Sequence, residues 1–291
     1  MRKIFTIAAL LMAWTLCGAQ DSVEALQDKY NRLVRNLGYD GVGIESTLEK
    51  WETLAPQDGA MLEGWFNFWL TKGKSTEVIA LDRQTYLGQK PIMSLSDSTG
   101  KIVNYFQVTN YDDEYFGKAT SAIEKAIAAH PDNLNYRLDR IDALMAYEES
   151  TPDLAVDALL KLIQEDKAGT VKWIYQGNVL ERTDFAEMIQ QYCFFLFSAS
   201  EPKTLDAFNL ISQKMFKNYP EKLDFLCNQG SYQMVAQRNY KKALKIFEKV
   251  LKTDPENKNA LTNCVLAARK MGKKELAGEY QLRLAKLNAV Q

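Results

Sequence analysis

From Tyr240 onward the apolar residues fall at Tyr240, Ala243, Leu244, Phe247, Val250 and Leu251, the i, i+3, i+4, i+7 spacing of a helix with one buried stripe. Lysines occupy the opposite face, and Asp254-Pro255 ends the pattern, because the residue before proline is pushed out of the helical region while proline suits a first turn. The same period predicts a helix from Ser22 to Leu37, buried through Val23, Leu26, Tyr30, Leu33, Val34 and Leu37, with Ser22 as its cap and Gly38 as its stop. Further helices are predicted over about 44–54 and 57–71 on either side of Pro56, then from Asp112 to His130, and over about 133–146, 152–165, 183–199 and 204–219. The helix at 183–199 is apolar nearly all round its later turns, which predicts central burial. Between Gly73 and Tyr111 the helical period fails. There Ile92–Leu95 and Lys101–Phe106 flank Asp97-Ser98-Thr99-Gly100 and read as a β-hairpin, so the stretch is a functional insertion or a small hairpin laid on the helices. Residues 169–177, with Trp173 and Tyr175, carry no assigned element.

With Pro255 as a closing proline, Asp224 begins a helix-turn-helix unit of about 34 residues. Tyr240, Ala243 and Phe247 then take aromatic, small and aromatic places on its second helix. In this the stretch resembles the tetratricopeptide repeat (TPR). Its first helix departs from the pattern, carrying Cys227, Gly230, Ser231 and Met234 where Trp, Leu, Gly and Tyr are typical, although Gly230-Ser231 still permits close helix approach. A second unit, Lys258 to Gln291, keeps Leu261, Gly272 and Ala277 but has Gln281 at the aromatic place and no closing proline. Upstream, Pro131 as a closing proline puts Ala119 and Ala126 on small positions, and Pro220 stands 35 residues before Pro255. Pro131 and Pro220 are 89 residues apart, not a whole number of units, so the middle is irregular. The reading is an all-α, TPR-like helix-turn-helix solenoid over 112–291, an N-terminal helical segment over 20–72, and an irregular insertion over 73–111 with a candidate β-hairpin.

Arg2 and Lys3, the apolar run Ile4 to Leu16 and the small pair Gly18-Ala19 before Gln20 have the form of a secretory signal peptide, residues 1–19. The run is too short to span a bilayer comfortably. Plain export to the periplasm or the exterior is preferred over lipid attachment at Cys17, because Trp14-Thr15-Leu16 lacks the small residues that usually lead into a lipidated cysteine. Cleavage removes two of the 36 basic residues and none of the 37 acidic ones, so the net charge moves from −1 to −3. That balance favours no polyanion, and nucleic-acid binding is not supported. With 46% hydrophobic and 25% charged residues, the composition is that of an ordinary globular chain, and no further segment of membrane length occurs. Cys193, Cys227 and Cys264 remain after cleavage. An odd count makes no disulfide framework. Small core hydrophobes is the preferred reading, with a Cys227–Cys264 pair as the alternative.

Chemistry is sparse. His130 is the single histidine, so histidine-based triads and multi-histidine metal sites are excluded except by joining other residue types, and a place in an interhelical turn is its preferred reading. Phosphate loops, Cys-x-x-Cys pairs and calcium loops are absent, and no cofactor is expected. By resemblance, the repeat's groove is lined by Phe225, Asn228, Tyr232 and Val235 in one unit and by Asn259, Thr262, Leu266 and Arg269 in the next. Of these, Phe225, Asn228, Tyr232, Thr262 and Arg269 are the candidate partner-binding residues for a protein or peptide. Packing of Phe225 and Leu266 against neighbouring helices is the equal alternative. A second platform for a carbohydrate or small ligand is Trp65, Phe68 and Trp69, in the densest aromatic stretch of the chain, although such stripes usually fill cores. The first function expected is an exported, non-enzymatic scaffold of the cell envelope, and the second an envelope ligand-binding module. The third is a hydrolase, to be promoted by a deep pocket holding two carboxylates about 5–10 Å apart.

Overall fold

Four prolines mark the plan of the molecule. The computed structural model describes residues 22–289, so the expected signal peptide and Cys17 lie outside the described residues. Within them the helices are α1 (Val23–Leu37), α2 (Ile44–Leu54), α3 (Gly59–Lys72), α4 (Asp113–Ala129), α5 (Leu134–Glu148), α6 (Asp153–Ala168), α7 (Arg182–Ala199), α8 (Pro202–Asn218), α9 (Asp224–Val235), α10 (Tyr240–Thr253), α11 (Lys258–Lys270) and α12 (Lys274–Ala289). Pro56, Pro131, Pro220 and Pro255 each stand just beyond the end of an even-numbered helix, α2, α4, α8 and α10. The helices are therefore consecutive antiparallel-type pairs, α1/α2 through α11/α12. First helix α9 touches both α7 and α11, and second helices α6 and α8 touch each other. This is the two-layered stacking of a TPR-type repeat fold.

The helix starts show why pairing is so regular. Ser22, Asp58, Asp112, Asn133, Asn239 and Asn257 each accept a hydrogen bond at their side chain from a backbone N–H of the first turn, which satisfies a donor the helix leaves orphaned. Packing follows the expected stripes. Ala243, Leu244, Phe247, Val250 and Leu251 of α10 are all buried. Gly230 on α9 is where α10 comes closest, since a Cβ there would sit 2.5 Å from Cε1 of Phe247. The core divides within α9: Phe225 belongs to the body built from α1 onward, and Leu226 and Cys227 to a smaller cluster with α10–α12. Cys193, Cys227 and Cys264 are buried free thiols, each pushed up to about 12 by burial.

The insertion grows out of the turn joining α3 to α4. It holds β1 (Lys74–Leu81), β2 (Met93–Ser96) and β3 (Ile102–Tyr111) in the order β1-β3-β2, both pairings antiparallel. The hairpin of β2 and β3 is the expected one. Its turn is fixed by the Asp97 carboxylate accepting from the N–H groups of Thr99 and Lys101, with Gly100 at φ 84°. Strand β1 is not legible in the sequence: six of its eight residues are exposed, on both faces, so it lacks the alternation that signals a strand. The ends of the insertion meet, Asp112 N–H donating to Gly73 O at 2.9 Å.

Only α6 among the internal second helices lacks a closing proline. Gly169, in the left-handed region, ends it, and the connector to α7 forms a two-strand clip, β4 (Ile174–Tyr175) with β5 (Asn178–Val179). Trp173 in this connector is buried and stacks on Phe185 at 6.5 Å, while Ile174 N–H donates to Asp132 O. That extra length accounts for the non-integral spacing of Pro131 and Pro220.

Candidate functional site

The clip region touches both the start of α5, through Ile174 and Gln176, and α7, through Trp173 on Phe185. The space between these two first helices is a cleft of about 790 Å³. From α5 it is lined by Asn135, Leu138, Asp139, Asp142 and Ala146, which recur at i, i+3, i+4, i+7 and i+11 and so share one helical face. From α7 come Met188, Gln191, Tyr192 and Phe195 at i, i+3, i+4 and i+7, while α3 adds Glu63 and the clip adds Tyr175 and Gln176. Phe195 is 47% exposed and its neighbour Phe194 68%. The expectation that α7 is buried all round is therefore corrected: its surplus of aromatic residues serves an open face.

Electrostatically the cleft is one-signed. Three carboxyls line it, and no Lys, Arg or His does. Among the described residues none of Glu63, Asp139 and Asp142 makes an ion pair. Burial raises all three, and for Asp139, which also feels Glu63 and Asp142, the result is about 7. Asp142 is open to solvent by area, but on a concave floor the flanking protein still displaces part of its hydration shell. Tyr192 donates to Asp142 Oδ1 at 2.7 Å, which partly offsets that rise and ties α7 to α5 across the cleft.

At its far end the cleft runs on into a recess of about 220 Å³, sharing Met145, Ala146 and Phe195. The insertion walls this end, through Tyr86 and Gln89 of the β1–β2 loop and Gln107, Thr109 and Tyr111 of β3. Tyr86 donates to Glu149 Oε2 at 2.9 Å, Arg83 pairs with Glu201, and Gly88, at φ 78°, lies so close that a Cβ would meet Ser198 O at 2.7 Å. The β1–β2 loop is thus pinned to α5, α7 and α8. Among the described residues no group of three or more His, Cys, Asp or Glu is placed to hold a metal ion, and no helix is long and apolar enough to cross a membrane.

The residues expected from the sequence lie elsewhere. Phe225 is 1% exposed and packs in the core, so its expected place on a partner surface is corrected. Asn228 exchanges amide hydrogen bonds with Gln190 of α7, and Tyr232 donates to Asp206 of α8 while accepting from Gln237. These two knit neighbouring helices. Thr262 donates to Lys258 O, and Arg269 to Gln281; both are exposed on α11, with Leu266, 44% exposed, between them. The five do not share a cleft. Of the aromatic platform, Phe68 and Trp65 are buried at 3% and 8%, so these two fill the core and are not open to a ligand. Half-buried Trp69 has the parallel rings of Trp65 and Tyr115 at 5.6 and 5.7 Å and the Lys72 and Lys118 ammonium groups at 5.0 and 4.8 Å. The faces a sugar would stack on are engaged. His130 is a turn residue, with Nε2 3.1 Å from Gln57 O.

A signal for the true cleft was present in the sequence. Asp139 and Asp142 interrupt the apolar side of α5 at i, i+3 beside Leu138 and Met145, and a carboxylate pair on that flank marks a surface that stays wet.

The family model for the coatomer epsilon subunit, a TPR-like helical family, matches residues 186–289, from within α7 to α12. Two crystal structures of MamA are similar in shape, at 16% and 17% identity, each covering 60% of this chain and respectively 90% and 83% of theirs, with a TM-score of 0.39 in both cases. No curated protein matches the sequence. The chain's own helix pairs, then, are what establish its repeat architecture.

Proposed function

We propose that the protein is a non-enzymatic binding scaffold of the cell envelope whose protein or peptide partner lies in the cleft between α5 and α7. The observation that supports this is the cleft itself: a face of each first helix left unpacked, over about 790 Å³, and continued by a second recess behind the insertion. Export rests on the signal-like residues 1–19 alone. Ala146 is exposed and lines both compartments, so Ala146→Trp fills their junction. Capture from an envelope extract by wild type and by Ala146→Trp tests the reading. The true partner is retained by the first and lost by the second, and is unaffected by Thr262→Ala with Arg269→Ala. A partner indifferent to Ala146→Trp would remove the cleft from the account. Amino-terminal sequencing of protein recovered from the envelope is expected to begin at Gln20.

A second reading is hydrolysis of a glycosidic bond, favoured by Asp139, whose raised carboxyl is suited to donate a proton near neutral pH. Binding is the better fit because such a mechanism needs one carboxyl protonated and its partner ionised, in environments that push them apart. Here Glu63, Asp139 and Asp142 are all pushed upward. Turnover of a chromogenic glycoside, lost by a hundredfold or more in Asp139→Asn, would reverse this choice.

A further inference from the structure

We infer that the segment held in the cleft is basic: an extended peptide that sets a lysine or arginine side chain between Asp139 and Asp142 and an apolar side chain against Met188 and Phe195. The inference rests on the cleft being a peptide groove, and it adds what the groove selects.

Charge complementarity carries it. The cleft presents three carboxyls with no lining cation, and among the described residues nothing neutralises them. Asp139 and Asp142 stand one helical turn apart on α5, so one cationic group can serve both. Tyr192 takes up Oδ1 of Asp142 and leaves its second oxygen for a visiting donor. The two arginines of α5 itself are turned to other partners, Arg140 to Glu124 and Arg137 to Glu165 and Trp173. An acidic floor with no lining cation, beside the exposed ring of Phe195, suits a partner that brings the counter-ion with it. The recess beyond Ala146 makes the space elongated, which fits a chain better than a lone amine.

Fluorescence anisotropy with a labelled eight-residue peptide of alternating Lys and Leu tests it, alongside versions carrying norleucine or Glu in place of Lys. The Lys peptide is expected to bind at least tenfold more tightly than the norleucine version, and the Glu version not to bind. Asp139→Asn with Asp142→Asn should weaken the Lys peptide at least tenfold and leave the norleucine peptide unchanged. Removing the same charge from α1, by Glu24→Gln with Asp28→Asn, should change nothing. Titratable groups around Asp139 are Glu63, Asp142, Tyr136, Tyr175 and Tyr192, and affinity for the Lys peptide should rise from pH 5.5 to 8 as the carboxyls shed their protons.

Equal binding of the Lys and norleucine peptides would overturn the basic preference, and if Ala146→Trp still blocked both, the groove reading would stand. Lys-peptide binding that survives Ala146→Trp, or that falls equally in the α1 variant, would overturn both. Failure of every peptide to bind would overturn the inference.

Discussion

Two single residues carry opposite kinds of constraint. At Gly230 the ring of Phe247 occupies the space a methyl would need, with three ring carbons within 2.9 Å of the added Cβ. Phe247 is fully buried and has nowhere to go. Gly230→Ala is expected to cost about 1–3 kcal/mol, read as a lower urea midpoint with an unchanged slope. Asp139 works the other way. Its folded-state pKa of about 7 lies above the ordinary carboxyl value, so between about pH 4 and 7 the folded protein keeps a proton that the unfolded chain has released. This group's contribution is therefore fully present below about pH 4 and declines as pH rises to about 7. Asp139→Asn should raise stability at pH 8 by about 1–2 kcal/mol, discounted because the cleft is open to water, and should flatten the decline. The residue that lowers stability is the one assigned to the partner, a cost that function sites commonly carry. A melting temperature of Asp139→Asn at pH 8 no higher than that of wild type would show that Asp139 is well solvated, and would weaken its assignment.

At the scale of elements, the sequence declares most of what it builds. Helices α1 and α10 show their stripes and caps plainly, since each buries one face and exposes the other. The β2–β3 hairpin is legible because Asp97 and Gly100 announce the turn. What hides is whatever is decided by a distant neighbour. Strand β1 exists only because β3 supplies its hydrogen bonds, from Lys74 opposite Tyr111 to Leu81 opposite Asn104. The repeat pattern points to a groove on α9 and α11. There the helices pack closely enough for Asn228 to reach Gln190 and for Phe225 to vanish into the core. The opening lies instead where the pattern is weakest, between α5 and α7, beside the irregular connector after α6. The β1–β2 loop gives an element-scale prediction. Arg83→Ala with Tyr86→Phe removes its ties to Glu201 and Glu149, and should speed protease cleavage within residues 82–91 severalfold. The urea midpoint should move by less than about 1 kcal/mol equivalent, and cleavage at the wild-type rate would mean that the loop is held by other contacts.

The whole molecule is a stack in which each pair leans on its neighbours, but the stack has a seam. Its apolar interior divides at Phe225 and Leu226, adjacent residues of α9 that point into different clusters. Stability in such arrays is a sum of local terms and interfaces. Phe247→Ala, deep in the smaller cluster, should cost about 3–5 kcal/mol locally. Hydrogen exchange is expected to accelerate across α9–α12 and to stay nearly unchanged in α1–α6. Uniform acceleration along the chain would mean that the two clusters melt as one.

The meeting of Gly73 and Asp112 has a consequence for how this molecule can be altered. Residues 74–111 leave and rejoin the helical stack at points joined by one hydrogen bond, so the stack does not need their path in order to close. A shortened version, with a brief linker from Gly73 to Asp112, should keep every helix pair and open the cleft at one end. A foreign module with closely spaced termini should be accepted at the same place. The fold thus offers a socket, and the three-stranded sheet is the plug this chain carries in it.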